Sequence, residues 1–152
     1  MATTRIELDT LPGHFIRRLQ QIAVAVFLEE TRELGITPVQ YAALQGIANN
    51  PGIDQRTLAS LIAYDTSTIG GVIDRLDARG LVKRSLSGSD RRVRLLSLTA
   101  EGKRLIGLIV PAMLSAQEKM LGPLTEGDKK AFMRIIRKLV SENNAMSRAP
   151  GN

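Results

Sequence analysis

Two clusters of side chains carry the chemistry that can be read directly from this sequence. Thr66, Ser67 and Thr68 stand in a row, and Arg75 follows two helical turns later. Hydroxyls donate and accept hydrogen bonds, and a guanidinium offers a planar fork of donors. These groups suit base edges and phosphates in the major groove of DNA. Gly70 and Gly71 interrupt the same stretch. A glycine weakens a helix by about 1 kcal/mol relative to alanine, so the pair points to a surface that something approaches closely. N-capping accounts for one hydroxyl but not for three. The second cluster is Asp90-Arg91-Arg92, with Arg94 beyond it and Lys83 and Arg84 before it. Arginine on a protruding tip suits the minor groove, where the potential is most negative. Asp90 is out of place beside phosphate unless its carboxylate holds an arginine in position.

The elements that must present these residues follow from pattern and punctuation. Asp65 caps a helix from Thr66 to Arg79 whose apolar positions are Ile69, Val72, Ile73 and Leu76, and Gly80 supplies the left-handed residue after it. Asp54 opens a shorter helix, Gln55 to Ile62, with Leu58 and Leu61 inward and a break at Ala63-Tyr64. Arg56 and Thr57, in its first turn, join the candidate DNA contacts. The period then changes. Leu81 to Leu86 and Val93 to Leu98 read as strands joined by the polar loop 87–92, a β-hairpin with a basic tip. Two short helices followed by such a hairpin are the layout of a winged helix-turn-helix.

Helices flank this unit. Leu11, Phe15, Leu19, Ile22 and Val26 form a helical stripe that Gly35 closes. Thr37-Pro38-Val39-Gln40 reads as a capping box with proline at the first helical position, starting a helix that carries Tyr41, Leu44, Ile47 and Ala48. Thr99 caps a long helix to about Met120, with Leu105, Ile109, Ala112, Met113 and Ala116 inward and Pro111 expected to kink it or displace one hydrogen bond. Thr125 with Asp128 starts a last helix marked by Phe132, Ile135, Ile136 and Leu139. The expected fold class is mainly α with a small β-hairpin wing.

Composition narrows the function classes. The 152 residues carry a formal net charge of +6, which favours a polyanionic partner. There is no cysteine and one histidine, which excludes disulfides and thiolate sites and disfavours a histidine metal site. No cofactor is implied. Met1 to Leu11 lacks the layout of a signal peptide, and no apolar run approaches the ~20 residues of a membrane helix. A cytoplasmic protein with no membrane partner is expected. No paired nucleophile and base, phosphate-cradling loop or metal cluster argues for an enzyme. A winged-helix module that binds a protein partner is the other reading, and the basic tip argues against it.

The segment Asp65 to Gly102 resembles the multiple-antibiotic-resistance-regulator (MarR) family. The motifs are Asp65-Thr66-Ser67-Thr68, then Ile73-Asp74-Arg75-Leu76-Asp77-Ala78-Arg79-Gly80-Leu81-Val82, then Asp90-Arg91-Arg92 before Leu98-Thr99-Ala100-Glu101-Gly102. The resemblance implies a homodimer in which N-terminal and C-terminal helices of both chains interlock, binding a palindromic operator. It matches DNA contacts to Ser67, Thr68 and Arg75 and a minor-groove arginine to Arg92; Gly71, where close approach is possible, joins the candidate contacts. On this basis residues 1–36 and 99–146 are expected to dimerise, 37–98 to bind DNA, and 147–152 to form a loose tail.

The first helix holds an oddity. Arg18 falls inside the apolar stripe, with His14 one turn before it and Arg17 flanking. A buried arginine needs an anion or several acceptors. Either an acidic residue of the partner chain meets it, or a small acid does. The family resemblance supports the second reading, because many members release DNA on binding small aromatic acids.

Overall fold

The computed structural model describes residues 4–151. Six α-helices and three short strands follow in the order α1 Pro12–Glu30, α2 Pro38–Asn49, β1 Ile53–Asp54, α3 Gln55–Leu61, α4 Thr66–Ala78, β2 Val82–Leu86, β3 Arg94–Leu98, α5 Ala100–Leu121 and α6 Glu126–Glu142. The architecture is mainly α with a small wing, as expected. The strand β1 was not anticipated. It pairs antiparallel with β3 through Ile53↔Leu96 and Asp54↔Leu95, so β3 lies between β1 and β2.

Local chemistry sets the boundaries. The capping box is complete: Gln40 N donates to Thr37 Oγ1 at 3.3 Å, and Thr37 N donates to Gln40 Oε1 at 3.1 Å. Gly35 is left-handed at φ 59°. Pro111 does not break α5, which runs continuously from Ala100 to Leu121. The proline and Gly107, whose carbonyl loses its donor, both lie on an exposed face where water can replace that bond.

One core gathers α2, α3, α4, the sheet and the inner face of α5. Leu44, Ile47, Leu58, Ile69, Ile73, Leu76, Leu96 and Ile109 are fully buried. Leu61, expected inward, is exposed instead. It closes a seven-residue helix whose buried face is already filled by Leu58 and Ala59. The junction of α4, β2 and α5 is especially close. Thr99 Oγ1 accepts from Gly102 N at 3.0 Å and donates to Gly80 O at 2.6 Å. A Cβ on Gly102 would fall 2.1 Å from the Leu81 carbonyl oxygen, so only glycine fits there.

The terminal helices differ. Helix α6 has no buried residue, and Met133, Ile135, Ile136, Leu139 and Val140 are exposed. Much of the α1 stripe is also exposed, including Leu11, Phe15 and Ile22. Together α1, the end of α5 and α6 border an apolar groove of about 860 Å³. The Asn144 side chain donates to Gly151 O at 2.5 Å and accepts from Gly151 N at 3.0 Å. Gly151 thereby lies beside Ala63 in the turn between α3 and α4. No single helix among the described residues is long and apolar enough to cross a membrane.

Candidate nucleic-acid interface

Helix α4 buries Ile69, Val72, Ile73 and Leu76 and turns the opposite stripe outward. Ser67, Gly71 and Arg75 recur every four residues along that exposed stripe. A Cβ on Gly71 would meet nothing within 4 Å, whereas one on Gly70 would meet the Gln55 amide of α3 at 3.3 Å. The two glycines therefore differ: Gly70 accommodates α3, and Gly71 leaves the outer surface open.

Thr66, Ser67 and Thr68 are all exposed, but two of them are engaged. Asp65 accepts from Thr68 N at 2.8 Å, from Thr68 Oγ1 at 2.7 Å and from Ser67 Oγ at 2.7 Å. These hydrogen bonds, led by that of Ser67, hold the Asp65 carboxyl far below the usual carboxylate range. The capping role thus explains more of the hydroxyl row than the spacing suggested. It also fixes polarity: while Ser67 and Thr68 donate to Asp65, they present only acceptor lone pairs outward. Helix α3 repeats the device. Asp54 accepts from Thr57 N at 2.8 Å and from Thr57 Oγ1 at 2.6 Å, and its carboxyl is likewise lowered. Arg56 beside it is exposed.

The hairpin tip is built by its own aspartate. Asp90 Oδ1 accepts from Arg92 N at 2.9 Å and from Arg92 Nε at 3.3 Å, so the carboxylate does hold an arginine. Asp90 O accepts from Val93 N at 3.0 Å and closes the turn. The Arg92 side chain is 91% exposed, and Arg91 also faces outward. Arg94 donates to the Arg91 carbonyl oxygen at 3.2 Å. Arg84 is not a tip cation. Its guanidinium bridges Asp74 and Asp77 of α4. At the far end of α4, Arg79 donates to Gly35 O at 2.9 Å and to Leu34 O at 3.4 Å, tying this helix to the α1–α2 connector. Sequence reasoning missed both tethers, because only the tertiary fold brings these residues together.

The α1 candidates are placed differently. Arg17 and Arg18 are exposed, and His14 is half-buried with its ring edge-on to Phe15 at 5.5 Å. The premise that Arg18 is buried does not hold in a single chain, because most of the stripe around it is itself uncovered. None of the three borders the apolar groove.

Comparison with known proteins agrees with this architecture. A family model described as "MarR family" matches residues 34–93. The chain is 34% identical to the transcriptional regulator HosA of Escherichia coli, over 84% of this chain and 93% of that protein. It is similar to the crystal structure of the PcaV transcriptional regulator from Streptomyces coelicolor in complex with its natural ligand. The TM-score is 0.82 at 33% identity, covering 93% of this chain and 98% of that one. It is also similar to Bordetella bronchiseptica BpsR, whose structure concerns regulation of DNA binding by 6-hydroxynicotinic acid. There the TM-score is 0.84 at 28% identity, covering 89% and 96%.

Proposed function

The chain belongs to the MarR family of winged-helix transcriptional regulators, and from that premise we propose that it is a homodimeric repressor of a palindromic operator. The observation that carries this reading is the pairing of an outward α4 stripe with a wing tip whose arginines are exposed. Ser67, Thr68, Gly71 and Arg75 face the major groove, with Thr66 at the helix entrance. Arg92, oriented by Asp90, enters the flanking minor groove, and Arg91, Arg56 and Thr57 meet the backbone. Residues 37–98 do the reading. Residues 1–36 and 99–146 supply the dimer, which covers the apolar surfaces of α1 and α6. Two recognition helices then address half-sites about one helical turn, ~34 Å, apart.

The test is selection of duplexes from a random pool, followed by affinity over a salt series. A palindromic consensus is expected, with log affinity falling linearly against log salt. Arg92→Ala should flatten that slope by about one charge. Recovery of no preferred sequence would refute the reading.

The effector is a small aromatic carboxylate that His14, Arg17 and Arg18 receive once dimerisation covers α1. The likeness to BpsR, whose DNA binding responds to 6-hydroxynicotinic acid, supports an acidic ligand. Binding shifts the population toward a spacing of the two α4 helices that no longer matches the half-sites. Titration with benzoate-class acids checks this: Arg18→Ala should lose ligand affinity, and unchanged affinity rules out the anchor role.

A further inference from the structure

Helix α4 carries two carboxylates that a DNA-facing helix would be better without. Asp74 and Asp77 repel phosphate, and both lie toward the C-terminal end, where the helix dipole is already negative. Asp74 directly precedes Arg75 of the outward stripe. Their presence needs a reason.

Strand β2 supplies one. Val82 and Arg84 share the strand face turned toward α4, because side chains alternate with period two, and Val82 is buried there. Arg84 Nη2 lies 2.7 Å from Asp74 Oδ1, and Arg84 Nε lies 3.2 Å from Asp77 Oδ2. One guanidinium thus spans two carboxylates one helical turn apart, with charge-assisted hydrogen bonds to both. The Arg84 side chain is 28% exposed, against 91% for Arg92. Across the sheet, Arg84 pairs with Leu96, which is fully buried, so the anchor sits on the firm stem of the hairpin and not on its tip.

We infer that Asp74, Arg84 and Asp77 form a clamp that fixes the wing relative to the recognition helix, which makes Arg84 a positioning residue and not a phosphate contact. The inference rests on the DNA-reading role proposed above. A helix in the major groove and an arginine in the minor groove engage together only when the angle between them matches the duplex. A site held in that geometry beforehand loses less freedom on binding. The clamp also consumes the two carboxylates, so they repel DNA less than their number suggests.

The test uses the full-length protein and a duplex selected by the wild type from a random pool. A wild type that enriches no sequence overturns the DNA-reading role and the clamp together. With a selected duplex in hand, the decisive variant is Asp74→Asn with Asp77→Asn, which removes two negative charges beside the DNA. If charge alone governs binding, this variant binds every duplex more tightly. The clamp requires the opposite for the selected duplex, a loss of about tenfold, with scrambled-duplex affinity unchanged or higher. Arg84→Ala should lose a similar factor without changing the salt slope, and Arg84→Lys should recover part of it. The triple variant should be no worse than Arg84→Ala, since all three act as one unit. Melting curves monitor folding, and the aspartate pair keeps the test open if Arg84→Ala folds poorly. A salt slope flattened by about one in Arg84→Ala, with tighter selected binding in the aspartate variant, overturns the clamp and makes Arg84 a phosphate contact.

Discussion

The winged lobe and the terminal helices of this chain differ in how far a single copy can complete them. In the lobe, Ile69, Ile73 and Leu76 of α4 are fully buried, and each of α2, α3 and α4 is capped by a side chain. Helix α6 has an equally good cap at Thr125 but buries nothing. Both helices are amphipathic, so the difference is not one of pattern. It is one of supply: α4 finds its apolar partner within the chain, and α6 does not. An amphipathic face left uncovered costs free energy in water and is a demand for another surface.

That contrast can be broken from either side. The largest effect is expected from Ile136→Asp with Leu139→Asp. Self-association should be lost by light scattering, and operator affinity should fall more than a hundredfold, because each half-site then binds alone, while the fold of the lobe persists. A variant that remains dimeric with unchanged affinity would show that α6 is not the interface. Ile73→Ala attacks the other side. It empties a fully buried site and should cost about 3 kcal/mol in denaturant unfolding, with self-association spared below the transition. Gly102→Ala should cost about 2–3 kcal/mol, since α5 must back away from the Leu81 carbonyl. Thr99→Ala removes a cap and the link to Gly80 and should cost about 1–2 kcal/mol.

The smallest effect concerns pH. Asp65 and Asp54 have folded-state values lowered by the hydrogen bonds they accept. Their contribution is therefore fully present above the ordinary aspartate range, near 3.9, and is lost as pH falls below it through the lowered values. Asp65→Asn keeps an acceptor for the Thr68 N–H but cannot ionise. It should flatten the fall of melting temperature on acidification and leave the neutral-pH fold intact.

What the sequence showed and what it hid divide along the same physical line. The Thr37–Gln40 box, the aspartate caps and the left-handed Gly35 and Gly80 depend on residues three or four apart, and the sequence displays them directly. The strand β1 is only Ile53–Asp54, and it exists because β3 lies beside it, forty residues later. Arg84 looked like one more wing cation, and only its tertiary neighbours Asp74 and Asp77 reveal it as spoken for. The hydroxyl row looked more available than it is, because Asp65 holds two of its three members. Arg18 was expected inside a covered stripe, but in the single chain that stripe is largely exposed.

The tether between Arg79 and the carbonyls of Leu34 and Gly35 makes α4 a lever. Its fulcrum is at the connector, and its far end is at Ser67. The helix has 13 residues, about 20 Å at the α-helical rise. A tilt of about 5° at the fulcrum carries the far tip through roughly 1.7 Å over that length. A hydrogen bond of ordinary length does not survive such a displacement. Were α4 to read DNA as proposed, a tilt of that size, resisted by the buried Ile69, Val72, Ile73 and Leu76, would disengage Ser67 without unfolding the lobe.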